Sequence, residues 1–177
     1  MTVTIATPPG DPNPATPTGV VFNGSTDFQL VAGVSSTAAR FIFVTEDGTV
    51  SGWNPSVAPS NSVLKVNNSG SAIYKGATIA QAGGVNFLYV ANFFNGSIDV
   101  FDANFAPASM PSGAFTDPDL REGFAPFNVQ NIGGNVFVAF AKQDPDKHDE
   151  VAGRKLGFVD VFDGGGTLLQ RLENGPG

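Results

Sequence analysis

The sequence has no cysteine, a single histidine, a single tryptophan and only nine lysines and arginines. Without cysteine there can be no disulfide, thiolate metal site or thiol nucleophile, and the redox compartment is left open. The nine basic residues face 16 acidic ones, giving a net charge of −7 and a pI near 4.4. That balance argues against a nucleic acid partner, because phosphate binding needs clustered Lys and Arg. No apolar run approaches the ~18 residues of a membrane-spanning helix. Residues 1–10 show neither the basic nor the apolar region of a secretory leader. No stretch sustains a 3.6-residue apolar period, so helix is expected to be nearly absent.

What the sequence has in quantity is glycine, proline and phenylalanine, 22, 13 and 16 residues respectively, which suits many short strands joined by turns. One phrase occurs three times: an apolar strand, a turn with glycine, a β-branched strand, an aromatic, then Asp or Asn. The copies run Phe41–Val44 to Gly48–Asn54, Phe87–Val90 to Gly96–Asp102, and Phe137–Phe140 to Gly157–Asp163. Their closing aromatics, Trp53, Phe101 and Phe162, stand about 48 and 61 residues apart, and a charged insertion accounts for the longer gap. A repeat of that length with strands in every copy implies a propeller or a solenoid.

The expected organisation is an N-terminal strand and proline-rich arm over 1–18, then three four-stranded antiparallel units over about 19–68, 72–112 and 124–173 within 19–177. Asp47-Gly48 and Asn95-Gly96 hold matched positions and read as primed hairpin turns. Alternation within the third strand puts Val50, Ile98 and Val159 on one side, with Ser51, Asp99, Asp160 and the closing aromatics on the other. Apolar residues on both sides are what a sheet stacked between two others requires. Asp99 and Asp160 read as strand acids that bond nearby polar groups.

Chemistry concentrates in one insertion, residues 142–155. It carries Asp144, Asp146, His148, Asp149 and Glu150 among Lys142, Lys147, Arg154 and Lys155. Alternating carboxylates and an imidazole suit a hard divalent cation such as calcium, with Asp144, Asp146 and His148 as its ligands. The same composition describes a charge-balanced, solvated loop, the more ordinary occurrence. In a meander this loop falls at the same end as connection 111–126. Asn128, on a candidate innermost strand, joins the ligand-binding set. No nucleophile elbow or triad is visible, and whether the protein is an enzyme is left open.

The phrases G-S-I-D-V-F-D (96–102) and G-F-V-D-V-F-D (157–163), with A-P-F-N-V-Q-N-I-G-G (125–134) and A-K-Q-D-P-D-K-H-D-E-V-A-G (141–153), resemble a bacterial family of exported NHL-like β-propellers. The resemblance implies six blades, of which this chain would be the middle half, an extracellular or periplasmic location and, in some members, a C-terminal sorting tail. Three blades alone form an open arc with two exposed faces, so a homodimer closing the ring is expected, with Val3–Ala6 latching the neighbouring copy; the alternative is a monomer whose ends the proline-rich arm covers. Two functions follow as expectations: a binding or scaffold protein with its site at the channel mouth beside loop 142–155, or a metal-dependent hydrolase of the lactonase-like propeller type.

Overall fold

The computed structural model describes residues 2–32 and 35–172, and among them there is no helix. The strands, in chain order, are β1 (Pro17–Phe22), β2 (Gln29–Ala32), β3 (Ser35–Ala38), β4 (Phe41–Thr45), β5 (Thr49–Trp53), β6 (Val63–Asn67), β7 (Tyr74–Ala82), β8 (Val85–Asn92), β9 (Ser97–Phe101), β10 (Phe124–Ile132), β11 (Asn135–Lys142), β12 (Gly157–Phe162) and β13 (Leu168–Leu172). A first sheet has the order β1-β4-β5-β6, a second β7-β8-β9 and a third β10-β11-β12-β13, while β2 and β3 pair as a separate hairpin. All pairings between these strands are antiparallel and each sheet is open. The protein is all-β. The predicted ends, residue 1 and residues 173–177, lie outside the described residues.

The second unit departs from the four-strand expectation. After β9 the chain makes one isolated bridge, Phe101 to Pro107, and the ladder stops. The segment expected near 106–110 contributes Asp102 N–H to Ala106 O and Ala108 N–H to Val100 O on either side of that bridge, with the nitrogen of Pro107 facing away from β9, as an edge segment tolerates.

The turns also differ from expectation. Primed two-residue turns need positive φ at both central positions. At 46–48 and 93–96 only Gly48 and Gly96 have it, at +77° and +68°. The turns that satisfy the rule are Gly83-Gly84 (+58°, +81°) and Gly133-Gly134 (+63°, +91°), each closing a first hairpin, β7–β8 and β10–β11.

The first strands of the three sheets, β1, β7 and β10, pack side by side with β7 in the middle. They run in the same direction: Thr18 Oγ1 donates to Tyr74 O, and Asn131 takes Thr78 Oγ1 and Ile79 O through its N–H and Nδ2. Glycine makes the approach close. A Cβ on Gly76 would lie 2.1 Å from Asn128 Oδ1, and one on Gly19 would lie 3.3 Å from Gly76 Cα.

Directly opposed residues share a side of a sheet. Phe41–Trp53, Leu88–Phe101 and Val136–Phe162 therefore mark equivalent sides, called front here, and Val44–Val50, Tyr89–Val100 and Ala139–Val159 mark the back. Ile42, Val44 and Val50 from the back of the first sheet share a core with Leu88, Val90 and Phe101 from the front of the second. Tyr89, Ala91 and Val100 from its back share another core with Val136, Val138, Phe140 and Phe162 from the front of the third. The alternation in the repeated phrase thus builds one interface twice.

Two front-side acids differ in their surroundings. Asp99 accepts from Tyr74 Oη at 3.1 Å, Asn92 Nδ2 at 3.0 Å and Ser97 Oγ at 3.1 Å, as a satisfied strand acid should. Asp160 is fully buried and neither carboxylate oxygen has a hydrogen-bond partner. Arg171 Nε, at 3.8 Å, is too far to donate, and that guanidinium engages Asp117 instead.

Burial pushes the Asp160 carboxyl up to about 6 from an ordinary 3.8. A raised carboxyl pKa favours the folded state through the bound proton, so its contribution is complete below the unfolded value and lost as pH rises through the folded one. In Asp160→Asn this titration is gone. The melting temperature of the wild type relative to the variant should fall between about pH 4 and pH 7; a constant difference would contradict a buried, unpaired acid.

Candidate functional site

Lys75 organises one end of the protein. It lies near the start of β7 with its side chain only 5% exposed. A lone buried ammonium is costly, so it must be paired. Its Nζ lies 2.5 Å from Glu46 Oε1, on the β4–β5 turn, and 3.0 Å from Asp149 Oδ1, on the insertion between β11 and β12. The rings of Phe93 and Phe127 each stand 5.9 Å from the cation. One ammonium thereby joins loops from the first and third sheets to a strand of the second. Burial lowers its pKa, but the two carboxylates outweigh burial and hold it above the ordinary lysine value. Asp149 is held below the ordinary carboxylate range, first by Lys75 and then by His148.

The insertion is an ordered extension of the β11–β12 hairpin. Gln143 bridges to Glu150, Asp144 N–H donates to Asp149 O at 2.8 Å and Val151 N–H donates to Lys142 O at 2.8 Å. Asp144 Oδ1 caps the turn by accepting His148 N–H at 2.9 Å. Gln143 Nε2 reaches Phe93 O at 2.5 Å and so pins the hairpin to the second sheet.

The predicted site residues therefore separate. His148 and Asp149 come together, Nδ1 to Oδ1 3.2 Å, and continue through Lys75 to Glu46. Asp146 and Glu150 are exposed at the hairpin, and Asp144 is used by the turn. Asn128 lies on β10 in the space left by Gly76, with its Oδ1 accepting from Val129 N–H at 2.8 Å. Among the described residues no three of His, Cys, Asp and Glu are grouped to hold a metal, so Asp144, Asp146 and His148 do not form the expected cation site.

A pocket of about 200 Å³ opens beside this cluster, lined by Glu46, Asp47, Gly70, Ala72, Ile73, Phe94 and His148. Its walls combine carboxylates with apolar surface, and Phe94 is 36% exposed. Lys75, Glu46 and Phe94 are absent from the set expected from sequence. The available signal was a lysine between Tyr74 and Gly76 in an otherwise uncharged strand, a position where a charge must find partners.

An all-β protein of repeated sheets with a cation-tied loop end is the class defined by this geometry. No family model matches the chain. Its sequence is similar to three proteins of Acanthamoeba polyphaga mimivirus: Uncharacterized protein R640 at 30% identity, Uncharacterized protein R648 at 31% and Uncharacterized protein L690 at 32%. In each case 90% of this chain is matched, but it spans only 30%, 40% and 43% of those relatives' lengths.

These viral matches correct the expectation of a bacterial NHL-like family. Glycine at a hairpin turn, β-branched residues in the strand and Asp starting an Asx turn are what such a hairpin needs in any lineage. Asp102 serves that role here, accepting Asn104 N–H at 2.8 Å, and Asp163 closes a wider turn by accepting Thr167 N–H at 2.8 Å. The phrase reports strand chemistry, not ancestry.

Replacing Lys75 by Met should lower stability by about 1–2 kcal/mol, the scale of a lost charged hydrogen-bond pair whose carboxylates can still rehydrate. Because the Asp149 carboxyl is depressed by Lys75, its contribution is present above the unfolded carboxylate pKa and lost as pH falls through the folded one. Acid melts should therefore show a loss below about pH 4 that is smaller in Lys75→Met. Equal acid sensitivity in the two proteins would contradict the pairing.

Proposed function

We propose that the three sheets are successive blades of a β-propeller and that the loop end around Lys75 is its ligand-binding mouth, so that the protein acts as a binding or scaffold module. The reading is supported by the parallel packing of first strands β1, β7 and β10, and by the front-to-back interface made twice. The observation that carries it is Lys75 drawing Glu46 and Asp149, on loops of different sheets, together beside a pocket that Glu46 and His148 line. Fold alone does not assign function, and the chemistry of the pocket is the guide.

That chemistry suits a ligand with a cationic donor on a short apolar stem, such as a lysine or arginine side chain of a peptide. Glu46 and Asp47 offer carboxylate oxygens, and Ala72, Ile73 and Phe94 offer apolar contact. A metal-dependent hydrolase would need converging ligands, and nothing in this site favours that alternative.

A lysine-containing tripeptide, titrated while backbone amide shifts are followed, tests the reading. The signals of Gly70, Ala72 and Phe94 should move together, and Glu46→Gln or Phe94→Ala should weaken binding about tenfold or more. Absence of shifts at millimolar peptide, or equal response in both variants, would remove the proposed ligand class.

A further inference from the structure

Two apolar surfaces of the protein stay uncovered, and they are the two halves of the interface it already makes twice. Inside the molecule the back of one sheet meets the front of the next. The front of the first sheet and the back of the third have no such neighbour among the described residues.

On the first sheet, Val20 and Phe22 of β1 are 62% and 64% exposed and stand opposite Phe43 and Phe41 of β4. Phe22 meets Phe41 edge to face at 5.7 Å, and Phe41 stacks on Trp53 at 6.2 Å. Trp53 Nε1 is buried without a hydrogen-bond partner. On the third sheet the equivalent back positions are Phe137, Ala139 and Val159, half-buried, and Val161, buried, flanked on the same side by Ile132 and Leu172 at 53% and 37% exposure. Exposed large apolar residues scattered singly need no explanation, but contiguous patches of them do.

The N-terminal arm does not cover the first of these patches. Residues 4–6 lie along the polar strip of the front: Ala6 N–H donates to Ser62 Oγ at 2.9 Å, Ser62 Oγ contacts Ser51 Oγ, and Thr49 Oγ1 reaches Ala6 O. The segments before the second and third sheets do the same on theirs. Asn68 Nδ2 reaches Tyr74 Oη, which bonds Asp99, and Asp117 meets Arg171 beside Asp160. The arm therefore stands where an inter-sheet connection stands elsewhere in the molecule, and it leaves Val20 and Phe22 exposed.

We propose that a second copy of this chain occupies both surfaces, each copy presenting the back of its third sheet to the front of the other's first. Such a contact is heterologous, and two copies related by a twofold axis close it into a ring. Three sheets from each copy give a total inside the range of about four to eight blades found in closed propellers. The inference rests on the blade reading but not on the peptide ligand, so failure of the titration above leaves it standing.

Sedimentation equilibrium of the 177-residue chain at micromolar concentration is the test. The expected mass is twice the 18.3 kDa of one chain. Phe22→Asp and Phe137→Asp, each checked for retained β structure by circular dichroism, should associate about a hundredfold more weakly. Mixing the two variants should then restore a pair, because the intact front of one meets the intact back of the other. A monomeric wild type would overturn the proposal and leave the patches to another segment or partner. Variants that fail to recover on mixing would overturn the head-to-tail geometry, and a ladder of larger masses would overturn closure.

Discussion

The loop end of this protein depends on one buried ammonium group. Lys75 has left water, and the loss of its hydration must be made up by fixed partners. Those partners, Glu46 and Asp149, belong to the first and third sheets, so satisfying one charge sets the distance between loops that share no covalent connection. Phe93 and Phe127 border the cation as well, and Gln143 fastens the insertion to the Phe93 carbonyl. The pocket beside His148 and Phe94 is a consequence of that arrangement. A charge-dense loop that would otherwise be solvated becomes one wall of a shaped site.

Beneath this end, the three sheets obey a rule that is simple in sequence terms. Period-two alternation places aliphatic residues on one side of the third strand and a closing aromatic on the other, and stacked sheets bury both. The sides were legible from Val50, Ile98 and Val159 against Trp53, Phe101 and Phe162, and the strand register places them as expected. The all-β character and absence of helix among the described residues were legible for the same reason.

Other features were not legible, and the reasons are physical. The Gly-Gly pairs look like generic flexibility, yet among the described residues they alone supply two successive positive φ values; Asp47-Gly48 and Asn95-Gly96, stronger hairpin signals by composition, sit in longer turns that need only one. The apolar, alanine-rich segment after β9 reads as a strand, yet it makes a single bridge at Pro107. Asp144 and Asp146 resemble cation ligands in spacing, but one is taken by the turn at His148 and the other faces water. Lys75 was overlooked because its partners lie 29 and 74 residues away, a separation no local pattern reports. The ancestry was misread because the repeated phrase is the chemistry of a hairpin, while the similar sequences are viral.

That Lys75 ties two separate loops to β7 in one site is the central claim, and hydrogen exchange tests it directly. In Lys75→Met, amide protection should fall together in the 46–48 turn and the 143–151 hairpin, while β8, β9, β11 and β12 keep theirs, because only the tie between loops has been removed. Loss of protection in one of these loops without the other, or a uniform loss through all three sheets, would contradict it.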